Sequence, residues 1–341
     1  MGEVAVIGAG LGGLTAACIL ASRGYEVKVF EANEVTGGKV SLFEDSGYRF
    51  DTGPTALTSP SILKKIFSEA GEKLEDHLEL TRIDPLWRAF FPDRSVLDLT
   101  DNLPKMRENL REFTHVLEDV ENYERFLLEA HRLHEIFKNH LYWKPLGGVG
   151  DIFDLKALFN LGSLKTLVAA RPHQSASECV RSYLRDDRTA RIMDQFVQRT
   201  GACPYTAPAI LCCLAHAETQ EGVWYPKGGT RAVPVALTRL AESLGVRIFT
   251  QNRITAILQD DKNRVVGVTD QQGKTHPIGA VISNMDSVRT HRELLRGRGL
   301  SLFEARREYE PACSGVLFYL GLKKRYNQLS HYNYAFSKDP H

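Results

Sequence analysis

Three glycines, Gly8, Gly10 and Gly13, follow directly on the short apolar run Val4–Ile7, and one carboxylate, Glu31, closes a second run at Val27–Phe30. Residues of these types at this spacing suit a diphosphate and a ribose. Gly8 permits a tight turn, Gly10 lets a pyrophosphate approach the backbone, and Gly13 lets a helix close on a sheet. The helix that follows offers unpaired N–H groups and a partial positive charge to the phosphates. The Glu31 carboxylate can accept hydrogen bonds from both ribose hydroxyls, and it repels a 2′-phosphate, which disfavours NADP.

The elements that must hold these groups are legible around them. Val4–Ile7 reads as a buried parallel strand, Leu14–Arg23 as an apolar helix stopped by Gly24, and Val27–Phe30 as the next strand. After Glu31 come Gly37-Gly38-Lys39 and then Asp51-Thr52-Gly53-Pro54 within "YRFDTGPT". Adjacent glycines let a second backbone segment press on a ligand, Lys39 brings a cation toward phosphates, and residues 51–54 read as a polar turn. A nicotinamide dehydrogenase does not need that second glycine contact, so the pattern leans toward FAD.

The stretches "VIGAGLGGL", "FEANEVTGGKV" and "YRFDTGPT" resemble the FAD-dependent phytoene desaturase family of bacteria and fungi. The family usually carries Arg where this chain has Lys39, which keeps the charge and gives up bidentate phosphate contact. The resemblance implies an α/β fold: a Rossmann-like FAD-binding domain, of glutathione-reductase-like or amine-oxidase-like type, with an interleaved α+β substrate domain. It implies that Gly8, Gly10, Gly12, Gly13, Glu31, Gly37, Gly38, Lys39, Asp51, Thr52, Gly53 and Pro54 contact FAD. It extends through "WYPKGG", "NRITAI" and "ISNMD", where Ile254 would meet the adenine through its backbone and Asn284 would lie near the cofactor.

Residues 222–250 read as turn, helix and strand, with Thr230 as N-cap and Pro234 in the first turn. Residues 253–286 alternate like a meander of strands with a turn at 260–263. The expected division is 1–75 and 222–290 for the FAD-binding domain and 76–221 for a largely helical, partly membrane-facing substrate domain. Residues 291–341 then start a second substrate-domain segment. Family members continue well beyond this point, so the resemblance covers about the first two thirds of their architecture. A chain ending here is expected to retain flavin weakly and turn over little.

The insert offers less chemistry. Residues 86–99 suggest a hairpin and 104–141 carry apolar side chains at helical spacing. Glu112 and His115 form ExxH, and His131 and His134 lie near Glu135, but no second ExxH follows, so exposed helix faces are the expectation and no metal site is assigned. The apolar stretch 151–170 suits core helices lining a cavity better than a patch dipping into lipid. Tyr205 is a candidate for the substrate border. Cys212, Cys213 and His216 lack an orienting partner, so no nucleophile and no catalytic acid or base is named.

The 341 residues carry a net charge of +1 with 43% hydrophobic and 25% charged side chains, which describes an ordinary globular chain and gives no electrostatic case for nucleic acid. Six cysteines without a CxxC pair suggest neither zinc nor a disulfide framework. The resemblance implies desaturation of a long apolar isoprenoid such as phytoene or a diapophytoene, with oxygen or quinone as electron acceptor. A polyene isomerase, a retinol-type saturase and a non-catalytic flavin-binding fragment are the rivals. Such a substrate resides in lipid, so a cytoplasmic protein bound peripherally to the membrane is expected.

Overall fold

The structure is a computed structural model, described here over residues 3–139, 170–295 and 315–338. The chain forms two compact units, one of Met1–Thr81 with Trp224–Pro311 and one of Arg82–Val223 with Ala312–His341.

The first unit begins with β1 (Glu3–Ile7), α1 (Leu11–Ser22) and β2 (Glu26–Phe30). A hairpin of β3 (Ser41–Asp45) and β4 (Tyr48–Thr52) follows, then β5 (Leu57–Thr58), α2 (Pro60–Glu69) and β6 (Leu80–Arg82), where the chain leaves. In the second unit, β7 (Trp87–Phe90) and β8 (Val96–Leu99) precede α3 (Leu103–Phe113), α4 (Asp119–Phe137), α5 (Ala176–Arg181), α6 (Asp187–Gln198) and α7 (Cys213–Glu221). The chain returns through β9 (Val223–Pro226), α8 (Ala232–Ser243) and β10 (Arg247–Phe249). Next come β11 (Ile254–Gln259), β12 (Val265–Asp270), β13 (Thr275–Pro277), β14 (Ala280–Ser283) and the short α9 (Ser287–Arg289). β15 (Asn333–Ala335) belongs to the second unit, where it pairs in parallel with β7.

The sheet of the first unit has the order β10-β2-β1-β14, with β1 parallel to both neighbours and β10 parallel to β2. Strands alternate sides with a period of two, and both faces are covered, so both parities are apolar. Val6, Val27 and Val29 pack with Leu14, Ala17, Leu237 and Leu240 of α1 and α8. Ala5, Ile7 and Phe30 pack on the opposite face with Ile254, Ile257 and Val268 of the antiparallel β11-β12-β13 meander. The chain leaves β1 toward β2 and later fills the place on its other side with β14. That reversal puts a crevice outside the carboxyl end of β1, where open α/β sheets bind ligands.

Two local expectations are corrected. Residues 51–52 are not a turn: Asp51 and Thr52 end β4 and pair with Leu42 and Ser41. Thr230 is not the N-cap of α8 either. The cap is Arg231, and the Thr230 hydroxyl is buried without a partner among the described residues.

In the meander, buried Asp270 accepts from His276 at 2.9 Å and from the backbone N–H groups of Gln272 and Lys274, each at 3.0 Å. The His276 bond, ahead of the backbone donors, holds this carboxyl below its ordinary value. A depressed folded-state value means that the contribution is complete above the unfolded-state value and is lost as pH falls toward the folded one. Asp270→Asn is therefore expected to flatten the acid limb of stability, as checked by urea unfolding from about pH 7 down to about pH 3.

In the second unit, Trp87, Leu97 and Leu99 of the hairpin are buried, as are Met106 and Leu110 of α3 and Phe126 and Phe196 of α4 and α6. The helices are fastened by capping carboxylates. Asp186 caps α6 through Arg188 N at 2.9 Å and also takes His115 N at 3.0 Å, while buried Asp119 accepts from the N–H groups of Arg185 and Asp186. His115 lies beyond the end of α3, so Glu112 and His115 do not share a helix face.

Candidate dinucleotide-binding site

The glycine turn is built as tightly as its composition allows. Gly8 has φ +94°, a value costly to other residues, and donates its N–H to Phe30 O at 2.8 Å, which ties the turn to β2. A Cβ on Gly13 would collide with the Gly8 carbonyl oxygen. Gly10 is the N-cap of α1 and supplies no side chain, so the helix start has no side-chain cap. An anion can take that place.

The second glycine pair lies directly on the first. Gly37 donates to Ala9 O at 2.7 Å and bridges Gly10 in parallel, and a Cβ on Gly38 would stand 3.1 Å from Gly10 Cα. Lys39 is exposed, and its carbonyl oxygen leaves no room for a Cβ on Gly53. Thr52 is half-buried, while Gly53 and Pro54 are exposed just beyond β4.

Asn284 covers the outer side of the turn. Its backbone N–H donates to Ile7 O at 2.8 Å, and its amide lies 2.8 and 2.6 Å from the positions that a Cβ on Gly10 or on Gly12 would occupy. A methyl at either position would meet only this exposed amide, which can swing aside for it as it can for a ligand. Asn284→Leu is expected to weaken FAD binding about tenfold or more by filling the seat with a branched apolar group, while apo-protein stability changes by under about 0.5 kcal/mol. Isothermal titration with FAD and denaturant unfolding check the two halves.

Asp51 is engaged by the protein itself. Tyr225 donates its hydroxyl at 2.6 Å and Thr230 its backbone N–H at 3.2 Å. Burial, followed by the bond to Asp51, pushes the Tyr225 phenol up to about 12. Tyr225→Phe is expected to cost about 1.5 kcal/mol in urea unfolding, the usual worth of a hydrogen bond to a charged acceptor.

Glu31 is buried, and its carboxylate is a hub. Oε2 accepts from Ala9 N at 2.7 Å; Oε1 accepts from Asn33 N at 2.9 Å and Asn33 Nδ2 at 2.7 Å. Three of about four acceptor positions are taken, leaving Oε2 one more donor. Beside it opens a cleft of about 510 Å³, walled by Gly8 and Glu31, by Arg253 and Ile254, and by Arg289 and Leu294. Ile254 is buried against Phe30 and Ile7, so its backbone edges the cleft. Arg289 pairs with Glu293 at 2.6 and 3.0 Å on the rim; each holds the other in its charged form, the arginine raised and the glutamate lowered.

An uncapped helix start, a carboxylate with one acceptor position left and a cleft of this size beside Gly8 and the carboxylate fit the diphosphate and the adenosine part of FAD. All fourteen expected positions lie in the first unit. Asn33, Arg253 and the Arg289–Glu293 pair were missed. Asn33 had a readable signal, since an Asn two residues after a carboxylate can bond it locally.

Elsewhere, His131 Nδ1 and His216 Nε2 lie 3.0 Å apart where α4 meets α7, and His131 and Glu135 are exposed. Burial, then the neighbouring imidazoles of His131 and His134, lowers His216 to about 4. Burial lifts the Cys213 thiol to about 12, and a bond from Cys179 together with burial lifts Cys212 further, so neither is poised as a nucleophile. Tyr205 stacks with Arg181 at 5.8 Å. No cluster of three metal-ligating groups occurs among the described residues. The apolar stretch 151–170 lies, but for its last residue, outside them.

Comparison with known proteins agrees with this geometry. The family described as flavin containing amine oxidoreductase matches residues 11–317. A 4,4'-diapolycopene oxygenase of Methylomonas sp is 33% identical over 99% of this chain and 66% of its own length. A 4,4'-diaponeurosporene oxygenase of Staphylococcus haemolyticus is 31% identical with the same coverage, so the chain spans just under two thirds of these relatives. Among solved structures, an oxidoreductase from Methanosarcina mazei superposes with a TM-score of 0.61 at 18% identity, covering 89% of this chain and 64% of that one. A fatty acid isomerase from P. acnes gives 0.55 at 14%, covering 89% and 63%. At such identities the structures establish the fold, which is the α/β flavoprotein fold expected above.

Proposed function

Because the chain belongs to the flavin containing amine oxidoreductase family and FAD is its cofactor, we propose that it carries the cofactor-holding part of an enzyme that oxidises an acyclic carotenoid-type polyene. The seat formed by the glycine turn and Glu31 carries this reading, and the names of the two oxygenase relatives supply the substrate class. Those names also move the reaction from desaturation toward introduction of oxygen. Desaturation of phytoene or a diapophytoene, isomerisation and saturation become outcomes of the test.

The flavin, when bound, supplies the acceptor for the electrons that leave a C–H bond. The N–H groups at the start of α1 bind the diphosphate, with Lys39 as a point charge beside it. Glu31 Oε2 accepts one ribose hydroxyl, and Asn33 keeps the carboxylate turned for it. Ile254 presents backbone to the adenine, and Asn284 moves aside and bonds the diphosphate edge. Asp51 holds β4 on the 225–230 segment, which fixes Gly53 and Pro54 beside the cofactor.

A polyene starts in lipid, so the gain of about 0.8 kcal/mol per CH₂ for leaving water is not available to draw it into a protein. The enzyme therefore works at a membrane surface and takes substrate laterally, although no described helix is long and apolar enough to cross one. Oxygen is the acceptor that fits an oxygenation, with quinone as the alternative. Incubation of the FAD-loaded protein in air with 4,4'-diaponeurosporene and with phytoene, followed by mass analysis, tests the proposal. Gain of oxygen supports it; loss of hydrogen pairs alone returns the reaction to desaturation, and unchanged polyene in lipid vesicles contradicts both.

A further inference from the structure

The loop that lies on the glycine turn is tied to α8 through a guanidinium. Arg231, the N-cap of α8, donates from Nη1 to Thr36 O. Thr238, two turns further along the same helix, meets the Thr36 hydroxyl at 2.8 Å. Gly37, at φ +113°, leaves the space that the guanidinium fills, since a Cβ there would collide with Nη1. Gly37 also donates to Ala9 O and bridges Gly10, where α1 starts. One strand spacing of about 4.8 Å and one atomic contact thus separate the guanidinium from the start of α1.

That position is unfavourable for a cation. Arg231 is half-buried, and among the described residues it makes no ion pair. Asp51, which takes the neighbouring Thr230 N–H, is bonded to Tyr225 instead. The start of a helix is the positive end of its macrodipole, where a further positive charge is disfavoured. Burial, with no carboxylate to oppose it, draws the guanidinium below its ordinary value. A charge kept in place against these costs implies an anion from outside the chain. The seat at the start of α1 takes a diphosphate, and the guanidinium lies within the Debye length of about 10 Å from it at about 0.1 M salt.

We propose that Arg231 is a positioning residue of the FAD seat whose charge, unpaired in the protein alone, is answered by the diphosphate of the bound cofactor. The inference rests on the reading of the β1–α1–β2 unit as that seat, and deepens it by naming a source of its affinity. The sign of the effect separates this role from that of a plain clamp. Removing a clamp lowers the stability of the apo-protein and weakens every ligand of the cleft alike. Removing an unanswered charge leaves the apo-protein as stable as before and weakens only ligands that carry phosphate.

Isothermal titration of FAD, ADP and adenosine into the apo-protein, at about 50 mM and about 500 mM salt, tests this. Arg231→Gln is expected to bind FAD and ADP about tenfold more weakly at the lower salt and to bind adenosine as the wild type does. Most of that tenfold difference is expected to vanish at the higher salt. Arg231→Lys, which keeps the charge, is expected to recover most of the lost affinity. Without ligand, the urea midpoint of Arg231→Gln is expected to equal or exceed that of the wild type. Equal weakening of ADP and adenosine, unchanged ADP binding, or a Lys variant as weak as the Gln variant overturns the proposal. So does a Gln variant that unfolds at lower urea or fails to fold. Each of these leaves the FAD seat intact, whereas a wild-type protein that binds neither FAD nor ADP overturns the seat as well.

Discussion

Gly13→Ala is expected to abolish FAD retention and to destabilise the first unit by about 3 kcal/mol, the upper part of the range for forcing atoms into a packed site. The added methyl would overlap the Gly8 carbonyl oxygen. That oxygen cannot retreat, because Gly8 holds φ +94° and its N–H is bonded to Phe30 O. The turn must open, and the start of α1 moves away from its anion seat. Gly71→Ala is the control: it has φ +82° but nothing near the position of its Cβ. It is expected to cost only the left-handed backbone term of about 1 kcal/mol and to leave FAD binding unchanged. Denaturant unfolding and the flavin absorbance of the purified proteins check both.

Replacing Glu31 is the second large perturbation. In Glu31→Gln, the Nε2 group must face either Ala9 N–H or the two donors of Asn33. Facing Ala9 is the lesser conflict, and it orphans one buried N–H at a cost of about 2 kcal/mol. The same rotation turns a donor, not an acceptor, toward the ribose. The FAD dissociation constant is expected to rise about a hundredfold, a change of about 2.7 kcal/mol. Glu31→Ala removes the acceptor for all three donors and is expected to be worse in both respects. Asn33→Ala separates positioning from contact: it leaves Ala9 paired with Glu31, so FAD affinity falls by about tenfold with little loss of stability.

What could be read from the sequence follows the range of each interaction. β1 and β2 form where spacing placed them, and α1 begins three residues earlier than read, at Leu11, because the turn, the helix and both strands are settled by neighbours within about thirty residues. Asp51 and Thr230 were misread because their roles depend on each other across the chain. Asp51 looks like a turn residue by type, yet it closes a strand and takes a backbone N–H from Thr230. Thr230 looks like a cap, yet its hydroxyl is buried and α8 starts one residue later than that reading needs. The resemblance supplied Asn284, but the seat of its amide beside Gly12, from 272 positions away, is visible only in three dimensions. Arg289 and Glu293 form a surface pair at helical spacing, and nothing local marks them as the rim of a cleft.

The central claim is that the β1–α1–β2 unit of this chain is an FAD seat. Thermal unfolding of the apo-protein with and without FAD tests it most directly, at a concentration about a hundred times the dissociation constant found by fluorescence titration. The account predicts a cooperative transition stabilised by about 2.7 kcal/mol, with no such gain from FMN or NADP and none in Gly13→Ala. A cooperative transition that FAD leaves unmoved, with no quenching of flavin fluorescence in the titration, would contradict it.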